Sequence, residues 1–228
     1  MIDAVVWTGA SLAVHLALVW FGRNEGLSDA DEGYLVYGAA RTRDGAVPLR
    51  DFRSYEPGRY WLIAALSGRR VTVRRTRLVA LGAHGFGLGV LLTALDAHAV
   101  RWPSLLLVLV IGASWSYLPY RGFDVGATFA VAGVLAMAYG ASAMSPWWLA
   151  AGVAVGGVAT IGVNLALYAG VSASILALSR VVAAGEAWSD TAVELAGRLT
   201  AGFAIGLLPL VVTAVTVRGF AAVLYLSL

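Results

Sequence analysis

Long apolar runs separated by short polar or aromatic punctuation make up most of the chain, and one polar interruption, residues 23 to 77, divides the first run from the rest. Runs of spanning length fall at about residues 4 to 21, 78 to 95, 103 to 119, 125 to 143, 147 to 163, 165 to 182 and 199 to 217. A bilayer core of ~30 Å needs about 20 apolar residues in a helix, so the pattern predicts an all-α, polytopic transmembrane bundle of about seven spans. Residues 147 to 182 form nearly one apolar block. As a single helix it would run roughly 54 Å at ~1.5 Å per residue, so the block is divided at Asn164. Trp20, Trp102, Tyr117, Tyr120, Trp147, Trp148 and Trp188 fall near the expected ends, where amphipathic rings anchor in the headgroup zone. Gly85-x-x-x-Gly89 and Gly152-x-x-x-Gly156 let helix backbones approach closely and indicate packed helices.

Within the interruption, Tyr60 to Leu66 is apolar but too short to cross and is expected to lie in the interface. Ala4 to Phe21 lacks a basic n-region and a small-residue cleavage site, so it reads as a retained first helix rather than a signal peptide. The whole chain, 1–228, is then one transmembrane module in a cell membrane, with a long first extracytoplasmic loop and no soluble domain. Placing that loop outside carries Arg69, Arg70, Arg74, Arg75 and Arg77 outside too, against the positive-inside tendency. A crossing at Tyr60 to Gly68 would put them in the cytoplasm and invert every later helix. The length of the loop favours the first arrangement.

Composition agrees with the pattern: of 228 residues 60% are hydrophobic and only 13% charged, outside the balance of a soluble domain. The net charge of +3 rests entirely on arginine, since lysine is absent. Guanidinium forks grip phosphate oxygens in pairs and suit lipid headgroups, although codon preference in a GC-rich genome explains the choice equally well. The absence of cysteine excludes disulfides, thiol catalysis and cysteine-ligated metals. No phosphate-binding loop, nucleophile elbow, zinc-protease helix or basic soluble face for nucleic acid occurs.

The interruption holds 18 of the 29 charged side chains, seven acidic and eleven arginine. Asp29, Asp31 and Glu32 cluster just after the first helix, followed by Asp51 and Glu56 interleaved with Arg41, Arg43, Arg50, Arg53 and Arg59. Carboxylates and arginines mixed at a membrane surface can deprotonate a hydroxyl and hold an anionic leaving group. A solvated loop of weak ion pairs, each contributing ~0 to 1 kcal/mol, is the plainer reading. Asp124 follows Arg121 at the start of the fourth span, where a near-membrane acid is costly enough to suggest function, and an i, i+3 pair stabilising the helix start is the alternative. Asn164, His84 and His15 are more simply interhelical hydrogen-bonding residues.

The motifs occur in a definite order: Asp31-Glu32-Gly33-Tyr34, then Gly45-Ala46-Val47-Pro48-Leu49-Arg50-Asp51-Phe52, then Glu56-Pro57-Gly58-Arg59-Tyr60-Trp61. This order resembles the first extracytoplasmic loop of the GT-C superfamily of membrane glycosyltransferases, particularly the protein O-mannosyltransferase and aminoarabinose transferase branch. The resemblance covers the loop specifically and the remaining helices by pattern. It implies transfer of a sugar from a polyprenyl-phosphate donor to an acceptor hydroxyl or amine, usually with inversion. Asp31 would be the base or orienter, with Glu32 or Asp29 as its neighbour. Asp51, Glu56, Arg59, Tyr60, Arg121 and Asp124 would bind substrate, Arg59 or the Arg69 to Arg77 group facing the leaving phosphate. No cofactor is implied, and a divalent cation at Asp29 and Asp31 is the lesser alternative.

Three departures from the family pattern stand out. Gly58 occupies the second position of the usual Pro-Pro pair, the expected lysine is missing, and the chain stops about ten residues after the seventh span. A fragment, a minimal form or one subunit with a partner chain are the corresponding expectations. The alternatives to an enzyme are a non-catalytic lipid-phosphate-binding or assembly subunit, and a small transporter, which would need polar groups meeting at mid-membrane.

Overall fold

The computed structural model describes residues 2–21, 30–115 and 121–227. These residues form helices and connecting turns, with no strand among them. In chain order the helices are α1 (Ile2–Phe21), α2 (Ala30–Arg43), α3 (Pro57–Leu66), α4 (Val73–Ala97), α5 (Trp102–Ser114), α6 (Gly122–Gly140), α7 (Pro146–Val158), α8 (Val163–Ala183), α9 (Trp188–Thr216) and α10 (Phe220–Ser227). Proline opens α3, α5 and α7, where its missing N–H would have lacked an intrahelical partner anyway. Thr72 and Ser145 cap α4 and α7 by accepting from Arg75 N–H and Trp147 N–H.

Five helices, α1, α4, α6, α8 and α9, are long and apolar enough to cross a membrane, which makes the chain a multi-pass membrane protein. The runs expected at 103 to 119 and 147 to 163 are helices of 13 residues, about 20 Å long and short of a ~30 Å core. The apolar block breaks at 159–162, not at Asn164, which lies in the first turn of α8. Gly162 is extended there, and Thr160 and Ile161 are held in a tight turn by bonds to Gly157 and Val158 carbonyls. Trp148 is no interfacial anchor: it is 0% exposed, packed with Leu135, Ala138 and Leu195. Trp20, Trp102 and Trp188 are exposed as anchors would be, and Tyr117 and Tyr120 lie outside the described residues.

Glycines set the helix directions. A Cβ on Gly89 would meet Thr8 and one on Gly85 would meet Leu12 and His15, so α1 and α4 run antiparallel. The last turn of α1 and the first turn of α4 therefore lie at the same end of this pair. Gly122 abuts Ala80, Gly126 abuts Ala83 and Gly133 abuts Leu91, so α4 and α6 run parallel. Gly152 and Gly156 of α7 face Gly202 and Gly206 of α9 in a second parallel contact, where added methyl groups would fall 2.2–2.4 Å from carbonyl oxygens. The expected close packing is present, with α9 supplying the unremarked half of it.

From Ala30 onward the charged segment is largely helical. It contains α2 and α3, and Arg74, Arg75 and Arg77 belong to the first turns of α4. Leu35, Ala39, Tyr60 and Ile63 bury an apolar seam between α2, α3 and the starts of α4 and α6. Gly38 makes this possible, since a Cβ there would fall 2.4 Å from the Tyr60 ring.

Candidate functional site

Helix periodicity decides how the acidic cluster is used. Asp31 and Glu32 are consecutive in the first turn of α2, so their side chains diverge by about 100°. Glu32 turns inward, 1% exposed, and accepts two bonds from Arg77, Nε at 2.6 Å and Nη2 at 2.8 Å. Asp31 turns the other way and lines an open cavity of about 320 Å³ with Leu35, Tyr55, Arg59, Arg121 and Asp124. The expected pairing of Asp31 with Glu32 as neighbours in one site is thus replaced by a division of labour. Asp29 lies outside the described residues, and with it the candidate Asp29 and Asp31 cation site.

Arg59 enters the cavity from the first turn of α3. Its Nη2 donates to Asp124 Oδ1 at 3.0 Å and to the Ile161 carbonyl at 2.6 Å, and lies 3.5 Å from Glu56 Oε2. Its Nε is buried without a partner, and Cζ sits 5.4 Å from the Tyr55 ring centroid. Arg121, at the head of α6, is the exposed guanidinium of the cavity. Two carboxylates and two guanidiniums from α2, α3 and α6 thus share one opening.

Leu35 and Tyr55 are the lining residues that sequence reasoning missed, and Tyr55 is the polar one. Its hydroxyl donates to Asp31 Oδ1 at 3.1 Å, and this bond, together with burial, pushes the phenol pKa up, which keeps it a donor. Tyr34 packs edge-on against Tyr55 at 6.0 Å and its hydroxyl donates to the Arg53 carbonyl. A tyrosine directly before Glu56-Pro57 was the available signal. Tyr60, by contrast, is 0% exposed and accepts from the Tyr55 N–H at 3.3 Å; burial pushes its phenol up to about 12. Its place is in the seam beneath the site, edge-on to Phe52 at 5.7 Å.

Asp51 closes its own turn and is absent from the cavity lining. It accepts from Val47 N–H at 2.8 Å and from Arg50 Nε at 2.7 Å, and the Arg50 bond holds its carboxyl down at about 2. Glu56 faces an adjoining cavity of about 530 Å³ with Asn164, Leu207, Leu210 and Leu224, and its Oε1 accepts from Val163 N–H at 3.3 Å. Gly58 explains its own departure from the Pro-Pro pattern. Its N–H donates to the Thr160 carbonyl at 2.7 Å and a Cβ would meet the Thr160 hydroxyl at 2.5 Å, so proline would lose the bond and clash.

His15 and His84, distant in sequence, are both buried in the bundle with ring centroids 4.5 Å apart, and His15 Nδ1 bonds the Ser11 carbonyl. Neither lines the charged cavity. No protein-family model, curated protein or solved structure matches the chain.

Proposed function

We propose that the chain is a GT-C type glycosyltransferase, moving a sugar from a polyprenyl-phosphate donor to an acceptor hydroxyl or amine at the extracytoplasmic membrane face. The five long helices α1, α4, α6, α8 and α9 cross on this reading, and α5 and α7, too short to span an unperturbed core, complete seven crossings where the bilayer thins around them. The observation that carries the reading is the convergence of Asp31, Arg59, Arg121 and Asp124 on one cavity beside the helices α2 and α3. Asp31 takes the acceptor proton as the acceptor atom bonds the anomeric carbon. The bond from that carbon to the phosphate oxygen breaks, and Arg121 and Arg59 hold the departing lipid phosphate. Tyr55 orients the Asp31 carboxylate through its hydroxyl.

Replacing Asp31 by Asn keeps the shape and the Tyr55 contact but removes the base. Transfer from a polyprenyl-phosphate sugar, measured with purified protein, is expected to drop by about 10²–10⁴-fold. An unchanged rate would sink the assignment. A second reading, a non-catalytic lipid-phosphate binder, draws on the two guanidiniums of the cavity, Arg59 and Arg121, which hold a phosphate without any proton transfer by Asp31. Donor binding with no turnover in wild-type protein would favour it.

A further inference from the structure

The turn between α3 and α4 gathers positive charge that the transfer reading leaves unused. Arg69, Arg70, Arg74 and Arg75 are all exposed, while Arg77 is buried against Glu32. No carboxylate lies within ion-pair distance of those four among the described residues. Arg75 shapes the turn, donating from Nη1 to the Ser67 carbonyl at 2.8 Å and the Arg70 carbonyl at 2.9 Å. Gly68, at φ +66, reverses the chain there. Arg69, Arg70 and Arg74 are left pointing outward around a fixed turn.

The electrostatics of this arrangement are one-sided. Arg74 and Arg75 occupy the first turn of α4, which contains no acid, so their charge adds to the positive end of the helix dipole instead of offsetting it. Three arginines held at such a point repel one another, and an anion relieves that repulsion. The depth matches a lipid headgroup. α4 is 25 residues, about 37 Å long, and exceeds the ~30 Å hydrocarbon core by about one turn; its first turn, with Arg74 and Arg75, is the part costliest to bury in hydrocarbon and so takes headgroup level. Leu62 and Leu66 of α3, the latter 67% exposed, offer apolar surface beside the same turn.

We propose that Arg69, Arg70 and Arg74 form a binding site for the phosphodiester headgroup of an anionic glycerophospholipid, with its acyl chains along Leu62 and Leu66. The site is separate from the Asp31 cavity and does not depend on the glycosyl-transfer reading. Its test uses the purified full-length chain in neutral detergent, titrated with phosphatidylglycerol, phosphatidylcholine or inorganic phosphate at fixed ionic strength, with bound lipid read by native mass spectrometry. Phosphatidylglycerol is expected to bind at least about tenfold more tightly than phosphatidylcholine. The variant R69Q/R70Q/R74Q, altered only at exposed positions, is expected to lose on the order of a hundredfold of that affinity. R101Q/R218Q, which removes charge elsewhere, is expected to keep it. Equal binding of the two lipids, an unaffected triple variant, or equal loss in R101Q/R218Q would overturn the proposal. Displacement of the lipid by millimolar phosphate would assign the turn to a free anion and overturn it equally.

Discussion

Adjacent residues can carry the same charge and opposite duties, as Asp31 and Glu32 demonstrate. Glu32 and Arg77 form a two-pronged ion pair with side chains 1% and 7% exposed, joining α2 to α4. Removing one partner from such a pair strands the other charge in a poorly solvated place. Glu32→Gln is therefore expected to cost about 3–5 kcal/mol, read as a large fall in thermal unfolding temperature in detergent. If stability is unchanged while activity vanishes, Glu32 belongs to the chemistry and not to the scaffold. The acidic cluster was legible in the sequence; its division was not, because no motif states which way each turn of α2 faces. Asp31, Arg59, Arg121 and Asp124 were singled out individually and do share a cavity, whereas Asp51 and Tyr60 are consumed by local structure. Tyr55 escaped notice because an aromatic residue in a polar turn has no periodic partner to mark it.

At the scale of elements, hydrophobic run length located α1, α6 and α8 within a few residues, missed the first eleven residues of α9, where Asp190, Glu194 and Arg198 interrupt the apolar run, and failed where a helix is shortened by packing. α7 stops at Val158 because the following turn receives α3, a tertiary event invisible in a run of apolar residues. The Gly152 and Gly156 pair was readable as a packing motif, yet its partner was not, since Gly202 and Gly206 lie about 50 residues on. A Cβ at Gly202 would fall 2.2 Å from the Leu149 carbonyl, so Gly202→Val must force α7 and α9 apart. The expected loss is about 1–3 kcal/mol, measured by thermal unfolding in detergent. Gly197→Ala, on the same helix with open space around it, is expected to leave stability equal or slightly higher. Similar losses in both variants would show that the close α7 and α9 contact contributes little.

For the whole molecule, the antiparallel α1 and α4 pair brings the ten described arginines of the charged segment, Arg41 to Arg77, to one end, together with Arg121 and Arg218, while Arg101 and Arg180 lie at the other. Charge alone would turn the arginine-rich end toward the cytoplasm; the transfer reading requires the opposite. Reporter fusions after residues 70 and 100 decide between them. An export-dependent reporter is expected to be active after residue 70 and silent after residue 100, and the reverse pattern removes the extracytoplasmic assignment. The charged segment is also fastened to a distant part of the chain. Gly58 N–H bonds the Thr160 carbonyl, Arg59 bonds the Ile161 carbonyl across 102 positions, and Glu56 receives Val163 N–H. During synthesis, α2 and α3 emerge long before these partners exist. The cavity around Asp31 therefore reaches its final form only after α7 and the start of α8 have been made and inserted, so a ribosome that stalls early releases a chain with every acidic residue of the segment and an unfinished site.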